Sequence, residues 1–596
     1  MRPQLPSLGD AVSAARRTLW RFPTVLLAAA LAAMAAILQI DEVGPEALRL
    51  RLLATATLAL PLLVALTLYA EGPARRRAAL LGLRLAGALA LVAFYLGWAS
   101  WPDPVRAGAY GQMSLAFHLL VAFLPLLGRG HTTAFWQYNR ALFLRFVAAA
   151  ASSGTLFLGL ALALAAVDKL FGVHVPNEGY PRLWAVIAFV CNTWFFLGGV
   201  PEDLGALEER RDYPAALRVF AQYTLVPLVS VYLVILTLYL GKVVVTWAWP
   251  SGWIGWLVSG VAGAGVLALL LVHPVVEDPE QRWIATFARD FWRAILPSIV
   301  MLWLALYQRV QQYGITENRY TLIVLSLWLA ALALYYALTR SRNIRRIPVS
   351  LCLVALVTLV GPWSAGPVSQ SSQVRRLRGL FERNGMLVSG RVRRASRVVA
   401  SEDAKEISAV MRYLMTIHGT EAIRPWFDDS LAGVAGVGGG PPDTGYVEAS
   451  TERALRVLGV GYVSPWERTV RPGRFAFTAA AGAVIGVADY DFLLRVTSGS
   501  VADTGLVALG VTGARLVRVR RGGQTLVDVP LDSMLARLRA GAARPVRTVP
   551  AAVLNTAAEN ARVRAAVWLR SVSGYDREGA AVVTSITGDV LVKLKQ

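Results

Sequence analysis

Apolar runs of eighteen residues or more recur through the first 365 positions of this chain and then stop. Each is about the length a helix needs to cross a hydrocarbon core of about 30 Å. Lipid cannot satisfy free backbone groups, so helices are the expected spanning form. Composition agrees: 56% of the 596 residues are hydrophobic and 16% charged, against about 45–50% and about 25% in a soluble domain. The pattern predicts a polytopic α-helical membrane bundle (residues 1–365) followed by a soluble α+β domain (366–596).

Eleven spans are expected near 22–40, 52–70, 80–100, 111–128, 143–166, 183–200, 219–241, 253–272, 294–311, 320–340 and 346–363. Asn192 and Thr193 dilute the sixth. Basic residues orient the bundle. The N-terminus and alternate loops hold twenty, ending with Arg340, Arg342, Arg345 and Arg346, whereas the opposite loops hold eight. This places the N-terminus in the cytoplasm and, after eleven crossings, the tail outside. Arg375, Arg376, Arg378 and Arg383 pull the other way but lie farther from the last span. The apolar core of the first span exceeds the usual 7–15 residues of a signal peptide, so a retained anchor is expected. Both cysteines, Cys191 and Cys352, fall in spans, leaving the tail no disulfide to form.

Polar groups gather in "RVQQYGITENRY" (309–320), the link between two spans. Gly314 suits the left-handed end of a helix. Thr316 suits the cap of the next helix, with Glu317 in its first turn. Geometry accounts for the turn. It does not account for Arg309, Gln312, Glu317, Asn318 and Arg319 standing so close together. Two readings remain: a locked hairpin, or a binding or gating site in which Glu317 pairs with Arg319 or Arg309. His118, inside "LAFHLLVAF", is an intramembrane ionisable group and a second binding candidate.

Other membrane stretches have plain readings. "EDPEQRWIATFARDFW" offers Asp278 as a cap, Pro279 at the first helical position, and Trp283, Phe287 and Phe291 on one face. That suggests a helix lying on the inner surface. "SGVAGAG" (259–265) places small residues four apart, which lets helices approach closely. Lys242 and "WPSGW" (249–253) read as interfacial anchors.

Several stretches resemble a bacterial family of multi-pass membrane proteins, domain of unknown function 4153. They are "FWQYNRALFLR" (135–145), "FFLGGVPEDL" (195–204), "FAQYTLVPLVSVYLVILTLYLGKVV" (220–244), "WPSGW", "RVQQYGITENRY" and "GPWSAGPVSQSSQVRRLRGLFERNGML" (361–387). They cover the membrane half and the entry to the tail. The resemblance implies the architecture and carries no activity or catalytic residue.

None of the eleven spans contains Asp or Glu. Ion-coupled transport usually needs buried carboxylates, so a transporter or channel is the second reading rather than the first. HExxH, a Walker A lysine motif and GxSxG are absent. The glycine run "GVAGVGGGPPDTG" (433–445) lacks the Lys-Ser/Thr of a phosphate loop.

The tail opens with amphipathic helical patterns, "VRRLRGLFERNGM" and "SEDAKEISAVMRYLMTIHG", and then changes to period two. An antiparallel sheet is expected there, with "LDSMLARLRAG" a short helix and the last 35 residues two or three paired strands. From residue 366 on, 31 Lys and Arg face 20 Asp and Glu. For an outside tail, nucleic acid is not an expected partner. Besides the bilayer, anionic lipid headgroups or envelope polymers are. His418, Trp426, Asp428 and Asp429, or Asp489, Tyr490 and Asp491, are pocket candidates without metal-ligand spacing. No cofactor is expected. The leading reading is a non-enzymatic envelope protein that senses, scaffolds or assists assembly at the outer face of a bacterial inner membrane. An envelope enzyme acting on lipid-linked substrates is third.

Overall fold

The computed structural model describes every residue except 1–7, 73–76, 99–102, 129–131, 247–253, 340, 342, 420, 428–443, 464–473, 480–485, 498–501, 504–507, 513–515, 522–523, 541–545, 578–579 and 596. "WPSGW", Asp428, Asp429 and all but the end of the glycine run lie outside the described residues. Two compact units divide the chain: 1–393 with 410–450, and 394–409 with 451–596.

In the first unit, ten described helices are long and apolar enough to cross a membrane. They run from Pro23–Ile40 to Glu317–Thr339, and the diluted sixth span is among them as Gly179–Leu197. This is a multi-pass membrane protein. The expected eleventh span is shorter than the rest, at 14 residues (Arg346–Leu359). At 1.5 Å per residue it covers about 21 Å. It stops where it does because Gly361 takes φ 87° and the residue before Pro362 is disfavoured in a helix.

The helices bury two apolar cores. Phe22, Leu62, Phe94, Phe117, Tyr138 and Cys352 mark the first. Val229, Val258, Phe291, Leu302 and Tyr336 mark the second. "FWQYNRALFLR" staples this packing with polar side chains that each take a backbone carbonyl. Trp136 Nε1 donates to Leu270 O, Tyr138 Oη to Val121 O, and Asn139 Nδ2 to Ala122 O. Arg21 grips "GGVPEDL" in the same way, donating to Val200 O and Pro201 O while paired with Glu71 at 2.8 Å. Asp278 caps as expected, accepting from Glu280 N. The helix after it, Arg282–Ala294, is amphipathic as expected. Ile284, Phe291 and Trp292 are buried in the second core and Trp283 is exposed.

The second unit holds a six-stranded and a four-stranded sheet. In the first, Val563–Arg577 and Ala580–Leu594 form a long antiparallel hairpin. Phe492–Thr497 and Arg474–Ala479 flank it, Val546–Val549 follows, and Asn555–Glu559 also pairs Val563–Arg577. The sheet is antiparallel as expected, apart from the parallel pair Arg474–Ala479 and Val546–Val549. Met534, Leu535 and Leu538 of helix Asp532–Ala540 share one buried core with Val517, Val519 and Val529 of the smaller sheet and Val567 and Val572 of the larger. Asp589, buried on the hairpin, is held by Arg570 at 2.7 Å.

Candidate functional site

Helix Leu296–Tyr313 ends on Gly314, at φ 69° and ψ −178°. That region is essentially open to glycine alone. A Cβ on Gly314 would also stand 2.8 Å from Gln373 Nε2. The close approach is functional for the turn. Gln373 donates to Tyr313 O and Ile315 O, and Ser372 Oγ accepts from Ile315 N at 2.9 Å. Helix Ala365–Arg383 thus clamps the hairpin by its backbone.

Glu317 begins the next helix, where Tyr320 N bonds Thr316 O. Its carboxylate is occupied on both oxygens. Ser369 Oγ lies 2.7 Å from Oε1, His418 Nε2 lies 2.9 Å from the same oxygen, and Tyr413 donates to Oε2. Ser369 and His418 are themselves 3.1 Å apart. Burial first, and then the carboxylate it donates to, push the Tyr413 phenol well above its ordinary range. It therefore stays a neutral donor. A hydrolytic relay sets the imidazole between hydroxyl and carboxylate, one ring nitrogen on each. Here one nitrogen faces both, and Ser369 is fully buried. The set can hold a charge and position three helices; it is not arranged to activate a nucleophile.

The expected pairing of Glu317 with Arg319 or Arg309 is not what forms. Residues two apart on a helix do not face each other. Arg319 turns back to Gly314 O at 2.8 Å and lies over Tyr313, 5.5 Å from the ring centre. Arg309 and Arg376 approach the same ring at 5.9 and 5.8 Å. Gln312 and Asn318 are exposed and outside the cluster. His118 is elsewhere, with Nδ1 2.8 Å from Ser114 O on its own helix. Sequence reasoning missed Ser369, Ser372, Gln373 and Tyr413, although "VSQSSQV" is a dense polar patch at the start of a helix. His418 was singled out, but with neighbours that do not join it: Trp426 packs against Phe381 instead. Asp491 accepts from Leu594 N, and Tyr490 lies under Arg564. Among the described residues no group of His, Cys, Asp and Glu could hold a metal.

A second feature lies between the two cores of the same unit. A cavity of about 750 Å³ is lined by apolar side chains, with Asn139, Arg140, Ser259 and Ser326 among them. The small residues of "SGVAGAG" help to open it. Gly263 lines it and a Cβ there would meet nothing within 4 Å, whereas Gly265 is packed against the Phe291 ring. The close-packing expectation holds for Gly265, with an aromatic ring as the partner, and not for Gly263.

The model of a domain of unknown function (DUF4153) matches residues 12–381. The chain belongs to that family. The matched stretch contains the hairpin and its clamp from helix Ala365–Arg383, while Tyr413 and His418 lie beyond it. An uncharacterised protein of Pasteurella multocida (strain Pm70) is 22% identical over 337 residues, 55% of this chain and 55% of the relative. The chain thus spans about half the length of that relative. No solved structure matches it.

Proposed function

We propose that this family member is a non-enzymatic scaffolding or sensing protein of the bacterial inner membrane, with its N-terminus in the cytoplasm and its basic tail outside. The reading rests on how Glu317 is occupied. Three donors from the protein itself, Ser369, Tyr413 and His418, take up most of its acceptor capacity of about four lone pairs. Those donors come from the segments that lead into the tail. The polar end of the bundle therefore fixes where the tail begins. Net charge supports anionic lipid headgroups or envelope polymers as the tail's partners.

The side of the tail depends on whether the short helix Arg346–Leu359 crosses. Single cysteines at Ser371 and Gln596 in intact cells, probed with a membrane-impermeant maleimide, test this. Labelling without permeabilising the inner membrane is expected at both. Labelling only after permeabilisation would place the tail in the cytoplasm and end the envelope reading.

A further inference from the structure

We propose that the cavity between the two cores is a phospholipid site, taking one acyl chain, with the anionic headgroup at Arg140. Its volume of about 750 Å³ falls within the about 300–1,000 Å³ of small-molecule sites. The wall is almost wholly apolar, which suits a hydrocarbon chain and not an ion or a sugar. The way in is lateral. Phe143, Phe220 and Leu267 line the cavity and are also exposed on the surface of a spanning unit, where acyl chains are the solvent.

Charge fixes which way the lipid lies. Arg140 is the one charged residue on the lining. Its Nη atoms reach Asp212, by the backbone carbonyl at 2.5 Å and the carboxylate at 3.6 Å, while Nε is buried without a hydrogen-bond partner. Its one carboxylate neighbour, the exposed Asp212, stands off at 3.6 Å, so the guanidinium keeps N–H capacity at its tip for a phosphate, whose oxygens its planar fork matches. Part of the lining, such as Leu217, Leu270 and Ile347, comes from helix ends on the side of the bundle that holds Arg140, and the rest, such as Gly263 and Ser326, lies deeper along the helices. The headgroup therefore belongs to the leaflet on that side, with the chain running inward past Gly263.

The full-length protein, reconstituted in nanodiscs with phosphatidylglycerol carrying an acyl-chain diazirine, tests the site by photo-crosslinking and peptide mapping. Label should concentrate on 135–143 and 258–271 over the exposed face around Leu228 and Leu238. Gly263→Phe should cut that excess at least fivefold while the label at Leu228–Leu238 stays. Even labelling of all lipid-facing helices, or an excess unchanged by the variant, overturns the proposal. If Gly263→Phe does not accumulate, Arg140→Gln keeps the test alive in native mass spectrometry. Its retention of phosphatidylglycerol relative to neutral diacylglycerol should fall at least fivefold. An unchanged ratio, or a bound mass that is not a phospholipid in the wild type, overturns it.

Discussion

The bundle treats polarity in opposite ways at two places. Around the hairpin, polar side chains are dense and are matched to protein partners: Gln373 and Ser372 to the turn backbone, and Ser369, Tyr413 and His418 to Glu317. In the cavity polar groups are few, and the one charged lining residue, Arg140, has its carboxylate neighbour Asp212 only at 3.6 Å. Of the two, the stretch richer in charge is thus the closed one, and the bland glycine-rich stretch borders the open space. A dense polar motif at a span end is evidence of something that must be held; a lone cation at the rim of an apolar wall is evidence of something that binds.

The largest expected effect comes from emptying the clamp. Glu317→Ala leaves the donors that converge on it without their acceptor, at about 1–3 kcal/mol for each one left unsatisfied. Protein level in membranes and the melting temperature in detergent should both collapse. Survival at the wild-type melting temperature would make the hairpin as open as the cavity. Gly314→Ala comes next. Strain in that region of φ and ψ costs about 1–3 kcal/mol, and the new Cβ meets Gln373, so a clear fall in melting temperature is expected.

Two glycines on one helix sharpen the contrast. Gly265→Ala drives a Cβ into Phe291, and overpacking of this sort costs about 1–3 kcal/mol. Gly263→Ala enters open space and should leave the melting temperature unchanged. Equal losses at both would mean the cavity is closed in solution. Arg319→Gln should do least, about 0–1 kcal/mol, since Arg319 contacts a carbonyl and a ring rather than Glu317. A large loss there would return the hairpin to an arginine–carboxylate site.

Much of the architecture was readable because membrane helices write themselves as long apolar runs and strands as alternation. The turn at Gly314 was readable for the same local reason: few residues can follow a helix with positive φ. The clamp was not. Glu317 meets Ser369 and His418 across 52 and 101 positions, and no local pattern links a carboxylate to donors so far along the chain. The neighbouring Arg319 looked like the partner because sequence shows proximity and hides direction. The cavity was hidden for a different reason. Glycines that open space and glycines that let helices touch look alike until their neighbours are placed, as Gly263 and Gly265 show.

The most direct test of the closed hairpin is a thermal double-mutant cycle on the full-length protein, with Glu317→Gln, His418→Gln and the pair together. If the carboxylate exists to hold these segments, each single variant lowers the melting temperature and the double variant loses less than the sum. The coupling expected for residues in direct contact is about 0.5–3 kcal/mol. Two single variants that melt like the wild type, or losses that simply add, would contradict a structural clamp and leave Glu317 free for another task.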